Sequence, residues 1–181
     1  MRLQGEKLKN AIAESGVDEA ALVAAIERTG LRGASARSAL RNWIAGRDHP
    51  RCKASDVARL AQACGVSPRD LVRFESRVMH HRGSTQKARL VVDLVRGKPV
   101  DEAMNLLSFS PKRAAVNVKK ALTAAVADAE LADADVTRLV VTDVRVDEGP
   151  HIKRFRPKDR GRAHAILKRT SHITVGVEER N

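Results

Sequence analysis

Nineteen consecutive residues, His151 to Arg169, read HIKRFRPKDRGRAHAILKR and carry eight Lys or Arg against the single Asp159, a net charge of +7. Like charges this dense repel one another unless counter-charge comes from outside the chain. The segment therefore points to a polyanionic partner whose phosphates supply that counter-charge. It is flanked by two β-rich runs, Leu-Val-Val-Thr-Asp-Val-Arg-Val from Leu139 and His-Ile-Thr-Val-Gly-Val from His172. These predict a hairpin over about residues 138–177, going out from Arg138 to Arg156 and returning from Lys158 to Val177. Arms of about 20 residues at roughly 3.3 Å per residue reach on the order of 60 Å. A two-stranded ribbon of that length cannot bury its own faces, so something must surround it. The charge pattern predicts a ribbon basic on almost every side. Pro150 and Pro157, with Gly149 and Gly161, predict an irregular tip. The competing reading of the composition is a disordered basic loop that orders on binding.

The rest of the composition narrows the class. The chain has 181 residues, room for one large domain or two small ones, and 34 Lys and Arg against 22 Asp and Glu give a net charge of +12. Aromatic residues are only 2% with no Tyr, so the stacking platforms of RRM and OB folds are missing and phosphate contact is the expected mode. Hydrophobic residues at 43% supply real cores. No apolar run approaches the roughly 20 residues of a membrane span and no leader pattern precedes the first helix, so a cytoplasmic protein is expected. Cys52 and Cys64 lack the spacing of a zinc ribbon or disulfide framework, and both are read as reduced, Cys64 as a core residue. The six histidines are scattered and read as solvated or phosphate-adjacent. With no nucleophile, metal cluster or phosphate loop, no enzymatic activity, metal or cofactor is expected.

Periodicity divides the chain near Glu75 to Arg77. Residues 1–75 are expected to form a helical extension and 76–181 an RNA-binding domain. In the first part, Leu8, Ile12 and Ala13 mark a helix stopped at Ser15-Gly16, and Asp18-Glu19 opens another bearing Leu22, Val23 and Ile26. After Gly30 and Gly33, Ser35 is the expected N-cap of a third, with Leu40, Trp43 and Ile44 inward. Val57, Leu60, Ala61 and Cys64 define a fourth, and Ser67-Pro68 is expected to start a fifth. The second part begins extended, over Ser76 to Arg82. A helix follows from Ser84 or Thr85 to Arg96 with Val91, Leu94 and Val95 as its stripe, and another spans Asp101 to Leu107. A third after Ser110-Pro111 buries Ala115, Val118, Leu122, Ala125, Val126 and Ala129. Lys112, Arg113, Lys119 and Lys120 lie off that face. The expected class is α+β.

Five stretches carry a family resemblance: KARLVVDLVRGKPVDEA (Lys87 to Ala103), KRAAVNVKKAL (Lys112 to Leu122), VDEGP (Val146 to Pro150), KRFRPKDRGRA (Lys153 to Ala163) and LKRTSHITV (Leu167 to Val175). In order and correctly spaced, they resemble the bacterial large-subunit ribosomal protein twenty-two family. The resemblance implies three helices packed on a small antiparallel sheet with a long protruding β-hairpin. It implies a structural constituent of the large ribosomal subunit that binds its RNA, supports assembly and touches neighbouring ribosomal proteins. The RNA-binding set is Arg82, Lys87, Arg89, Arg96 and Lys98 near the first helix and Lys112, Arg113, Lys119 and Lys120 on the third. Arg145, Lys153, Arg154, Arg156, Lys158, Arg160, Arg162, Lys168 and Arg169 complete it along the hairpin. The tip, Ile152, Lys153, Arg154, Phe155 and Arg156 on one arm and Pro157, Lys158, Asp159, Arg160 and Gly161 around the turn, is implied to line the exit tunnel and meet the nascent polypeptide. Two places depart from the family pattern. Arg82-Gly83-Ser84-Thr85 stands where Arg-x-Ser-Pro is common, and Asp128-Ala129-Glu130-Leu131 where Asn-Ala-Glu-His is usual.

Residues Gly16 to Leu71, with SALRNWIAGRDHP and ARLAQACGVSPRDLV, resemble the helix-turn-helix domains of Cro and phage repressors. That resemblance implies a small all-α bundle whose third helix offers Ser35, Arg37, Ser38 and Arg41 to nucleic acid. The favoured role is docking on ribosomal RNA or a neighbouring protein. The alternative is a sequence-specific DNA-binding regulator.

Overall fold

Glycines and alanines let the N-terminal helices approach closely, and the chain punctuates itself at residues that only glycine suits. The computed structural model describes residues 1–180, which group into two units, 1–74 with 129–134, and 75–128 with the chain from Asp135 onward. In the first unit, strand β1 (Arg2–Leu3) precedes helices α1 (Gly5–Ser15), α2 (Glu19–Ile26), α3 (Ala34–Ile44) and α4 (Ala54–Cys64). One 3-10 turn (Pro68–Leu71) then leads into strand β2 (Val72–His81), whose Val72 and Arg73 pair with Leu3 and Arg2. α1 and α4 end where Gly16 and Gly65 take left-handed φ values of +63° and +69°. Leu8, Leu22, Ile26, Leu40, Trp43 and Leu60 form the centre of the core, with Cys64 buried at its margin. The indole N–H of Trp43 donates to the Pro50 carbonyl at 2.7 Å, so the one buried polar atom of that ring is satisfied.

Four expectations for this unit are corrected. The unit is not helical throughout: Ser67-Pro68 opens a single 3-10 turn, because the alternation of buried Val72 and Phe74 with partly exposed Arg73 and Glu75 favours a strand. Ser35 is not the N-cap of α3. Gly33, at φ +50°, holds that position, and the Ser35 hydroxyl instead accepts from the Arg32 N–H at 3.0 Å and donates to the Arg32 carbonyl at 2.8 Å. Ala13 is exposed, since Leu8 and Ala11 hold the inward positions one turn apart. Ile44 is only partly buried.

The second unit takes β2 from Glu75, then helices α5 (Thr85–Val95), α6 (Val100–Phe109) and α7 (Arg113–Glu130). Strands β3 (Leu139–Glu148), β4 (Ile152–Pro157), β5 (Ala163–Lys168) and β6 (Ser171–Glu179) follow. β6 lies between β2 and β3 and is antiparallel to β3. α5 and α6 pack on β3. α5 buries Ala88, Val91, Val92 and Val95, a strict i, i+3, i+4, i+7 set, so Leu94, expected inside, is 48% exposed. α7 contributes Ala115, Val118, Ala121, Leu122 and Ala125, while Val126 is only partly buried. Where Val141 pairs with Val177 and the next pair is Asp143 with Gly176, Thr142 is an extra residue on β3. This bulge changes the phase of the strand, so that Leu139 and Val141 before it and Val144 and Val146 after it are all buried. The Gly97 N–H donates to the Val141 carbonyl at 2.8 Å and the Val141 N–H to the Lys98 carbonyl at 2.9 Å, covering that edge of β3.

A Cβ at Gly5 would come within 2.5 to 2.8 Å of the Ile44 and Trp43 carbonyl oxygens and the Gly46 nitrogen, all backbone atoms that cannot swing aside. Gly5→Ala is expected to destabilise the first unit by about 2–3 kcal/mol. At Gly16, where the surrounding space is open, alanine is expected to cost only about 1 kcal/mol of backbone strain. Denaturant unfolding followed through the single tryptophan checks the order of midpoints, Gly5→Ala lowest and wild type highest.

Candidate nucleic-acid interface

The hairpin is one antiparallel pairing with a break in the middle. Past Glu148 opposite Ser171 the ladder stops, and it resumes at Ile152 opposite Lys168, running six pairs to Pro157 opposite Ala163. Pro150 has no N–H to continue the ladder. The break is held by the Gly149 N–H donating to the Thr170 carbonyl at 2.9 Å and the Thr170 hydroxyl donating to the Pro150 carbonyl at 2.7 Å. A side chain at Gly149 would strike the Thr170 hydroxyl at 2.6 Å. The turn closes with the Lys158 N–H donating to the Arg162 carbonyl at 2.7 Å, with Arg160 at φ +53° and Gly161 at φ +70°.

Two expectations are thereby corrected. The arms of the tip, 152–157 and 163–168, form a regular ribbon, and the irregularity is confined to its base and to the turn at 158–162, because Pro157 is the last paired residue and interrupts nothing beyond it. Nor is charge spread over every side. Directly opposed residues share a face and successive residues alternate between faces. One face therefore holds Ile152, Arg154 and Arg156 opposite Lys168, Ile166 and His164, and the other holds Lys153, Phe155 and Pro157 opposite Leu167, Ala165 and Ala163. The first is mainly basic and the second mainly apolar, with Phe155 74% exposed and Leu167 51% exposed. Lys158, Asp159, Arg160 and Arg162 are exposed around the turn, and Arg169 is exposed in the break.

In the body, the basic residues fall into two groups. Arg96, Lys98 and Arg145 are engaged with the protein. Arg96 donates to the Val144 carbonyl at 2.9 Å and pairs with Asp93 at 3.2 Å, Lys98 pairs with Glu102, and Arg145 pairs with Glu75 at 3.3 Å. Arg82, Lys87, Lys112 and Arg113 converge on one concavity of about 460 Å³ with His81, Gly83 and Ser84. Lys119 and Lys120 line a second, of about 660 Å³, formed by α7 and the end of α6, where the Lys119 ammonium donates to the Ser108 hydroxyl at 2.8 Å. Arg89 is exposed on α5, and Asp128 is exposed near the end of α7.

In the first unit, Ser35, Arg37, Ser38 and Arg41 lie exposed on one face of α3, between the buried Ala36, Ala39 and Leu40. Arg41 pairs with Glu19 of α2 at 3.3 Å. The turn between α2 and α3 is tied down by the Gly33 N–H donating to the Glu27 carboxylate at 2.8 Å. Arg28 pairs at 3.1 Å with the fully buried Asp56 of α4. Cys52 beside it has its thiol pushed up to about 12, by burial and then by Asp56, so it stays protonated.

His81 and His172, read from sequence as solvated or phosphate-adjacent, are not solvated: they are buried at 7% and 9% exposure. His172 Nδ1 accepts the His80 N–H at 3.0 Å, and the Asn117 amide approaches His81 Nδ1 at 2.5 Å. Burial, with Arg113 nearby, holds the His81 pKa below its ordinary value. No sequence spacing could have joined His81 to Asn117 and Arg113. The family model described as Ribosomal protein L22p/L17e matches residues 76–178. That stretch contains β2 from Ser76, the helices α5 to α7 and the whole hairpin. The chain belongs to this ribosomal protein family, and is thus a structural component of the large ribosomal subunit.

Proposed function

We propose that the chain binds large-subunit ribosomal RNA through its body and hairpin, and that the distal ribbon forms part of the wall of the nascent-peptide exit tunnel. The observation that carries this is the sorting of the ribbon into a basic and an apolar face, both exposed. A ribbon with two solvent-exposed faces of opposite character suits a boundary, with phosphates on one side and bases, neighbouring proteins or the passing polypeptide on the other. Arg154 and Arg156 serve as bidentate phosphate ligands, and Phe155 and Leu167 as the apolar contact. Lys158, Asp159 and Arg160, at the turn, are the groups assigned to the passing chain. Lys119 and Lys120 add a further phosphate contact on the body, and Arg89 another on α5.

The N-terminal unit, a domain of its own in this reading, is assigned to phosphate contact on the same RNA through the exposed face of α3. The pairing of Arg41 with Glu19 favours this over base reading in a DNA groove. Arg37, with Ser35 and Ser38 beside it, is then the principal contact.

Three outcomes are expected. Neutralising Arg154 and Arg156 together should flatten the slope of log affinity for large-subunit RNA against log salt by between about 1 and 2, since each phosphate contact contributes roughly 0.7 to 0.9. Phe155→Ser should leave that slope unchanged. Binding titrations between low and moderate salt decide this, and equal slopes for all variants would refute the phosphate role of the basic face. Removal of residues 151–169 is expected to leave the body's thermal unfolding intact while reducing co-sedimentation with the large subunit. A photoreactive residue at position 159 should capture the nascent chain of a stalled ribosome, whereas one at position 94 should not.

A further inference from the structure

Two helices begin at the same concavity. α5 starts there with Ser84 as its N-cap, and α7 starts there at Arg113, directly after Lys112. The first-turn N–H groups of each helix have no partner within the helix and give that end a partial positive charge. Arg82, Lys87, Lys112 and Arg113 line the same hollow, and among the described residues none of these four has an ion-pair partner. No carboxylate is among the lining residues.

An independent observation comes from His81, 7% exposed, which closes the floor. The Asn117 amide nitrogen 2.5 Å from Nδ1 can only donate, so Nδ1 accepts and the proton of the neutral ring sits on Nε2. Nε2 has no hydrogen-bond partner among the described residues and lies against Gly83, where a Cβ would come within 2.5 Å of it. Every polar group identified here thus donates or can donate: guanidinium, ammonium, imidazole N–H, hydroxyl and backbone amide. A donor without an acceptor, on a side chain only 7% exposed and inside a ring of uncompensated cations, is the complement of an oxyanion.

We propose that this hollow is a phosphate cradle that takes one phosphodiester of the large-subunit RNA backbone. Its occupant as RNA rests on the RNA-binding reading above, while the preference for a phosphate group rests on the geometry alone. Gly83 is a positioning residue, because any side chain there would displace the His81 ring. Ser84 in place of a bulkier or acidic residue leaves the α5 amides open to the ligand.

The test uses the full chain and two probes. Inorganic phosphate is titrated against chloride at constant ionic strength while the ring nitrogen signals of His81 are followed, and large-subunit RNA binding is measured in parallel. A saturable phosphate response at Nε2 is expected, with chloride giving none. Ser84→Asp is the deciding variant, because aspartate caps a helix as well as serine does but places a carboxylate in the hollow. It should abolish the phosphate response and weaken RNA binding about tenfold, the loss expected for one charge-assisted contact, with the unfolding midpoint unchanged. Should that midpoint shift, Lys87→Gln on the exposed helix surface gives the same readout without touching the cap. A saturable phosphate response with RNA affinity unchanged in both variants would mean a free-anion site and overturn the RNA assignment. No phosphate response would overturn the cradle itself. Wild-type chain that saturates with phosphate yet fails to bind the RNA would instead refute the RNA-binding reading.

Discussion

Pairing register between β3 and β6 governs everything the outer hairpin displays, because in an antiparallel ribbon a slip of one residue moves every side chain to the opposite face. Two irregularities set that register. The extra Thr142 on β3 keeps Leu139, Val141, Val144 and Val146 all inward, against the uninterrupted Ile173, Val175 and Val177 of β6. The break at residues 149–151 opposite 169–170 then places three residues against two, held by the hydrogen bonds of Gly149 and Thr170. Beyond it, the distal ribbon begins a fresh alternation with Arg154 and Arg156 on one side and Phe155 and Pro157 on the other. The anchored body thus transmits a defined orientation to a ribbon that has no core of its own.

Electrostatics divides the basic residues by the same logic. Where a cation serves the fold, a carboxylate or carbonyl of the protein meets it, as Asp93 and the Val144 carbonyl meet Arg96, Glu102 meets Lys98, and Glu75 meets Arg145. Exposed pairs of this kind contribute little to stability individually, and their effect here is to hold loops and strands in place. Among the described residues the cations around the His81 hollow have no such partner, and a net charge of +12 makes the isolated chain self-repulsive. A polyanion relieves that repulsion, so fold and partner are coupled through charge that the fold leaves uncompensated.

Helical faces were readable in the sequence because their period is local. Leu22, Val23 and Ile26, or Val118, Leu122 and Ala125, announce themselves by spacing alone, and all are buried. Strand phase was readable in outline, since the shift from odd to even apolar positions across Thr142 is visible in Leu-Val-Val-Thr-Asp-Val-Arg-Val. What local pattern could not supply was competition between elements. Ser67-Pro68 has the form of a helix start, yet the alternation from Val72 onward draws the chain into β2 after one turn. The even distribution of Lys and Arg along residues 151–169 concealed their separation by face until the register of β4 and β5 was known. Convergence of α5 and α7 on His81 was hidden most deeply, because Ser84, Lys112 and Asn117 share no motif and meet only through tertiary packing.

The two candidate contact regions of the family-matched segment answer different physical needs. On the ribbon, Phe155 and Leu167 stay exposed because no neighbouring element covers them, so the surface becomes favourable only when a larger assembly removes that apolar area from water. Around His81 the reverse holds: the ring is already desolvated and its amide partner already in place, so no ordering is needed before an anion enters. A preorganised body site and a ribbon whose apolar face is covered only in a larger assembly therefore differ in what each needs from a partner, the one a single anion and the other a surface that removes its side chains from water.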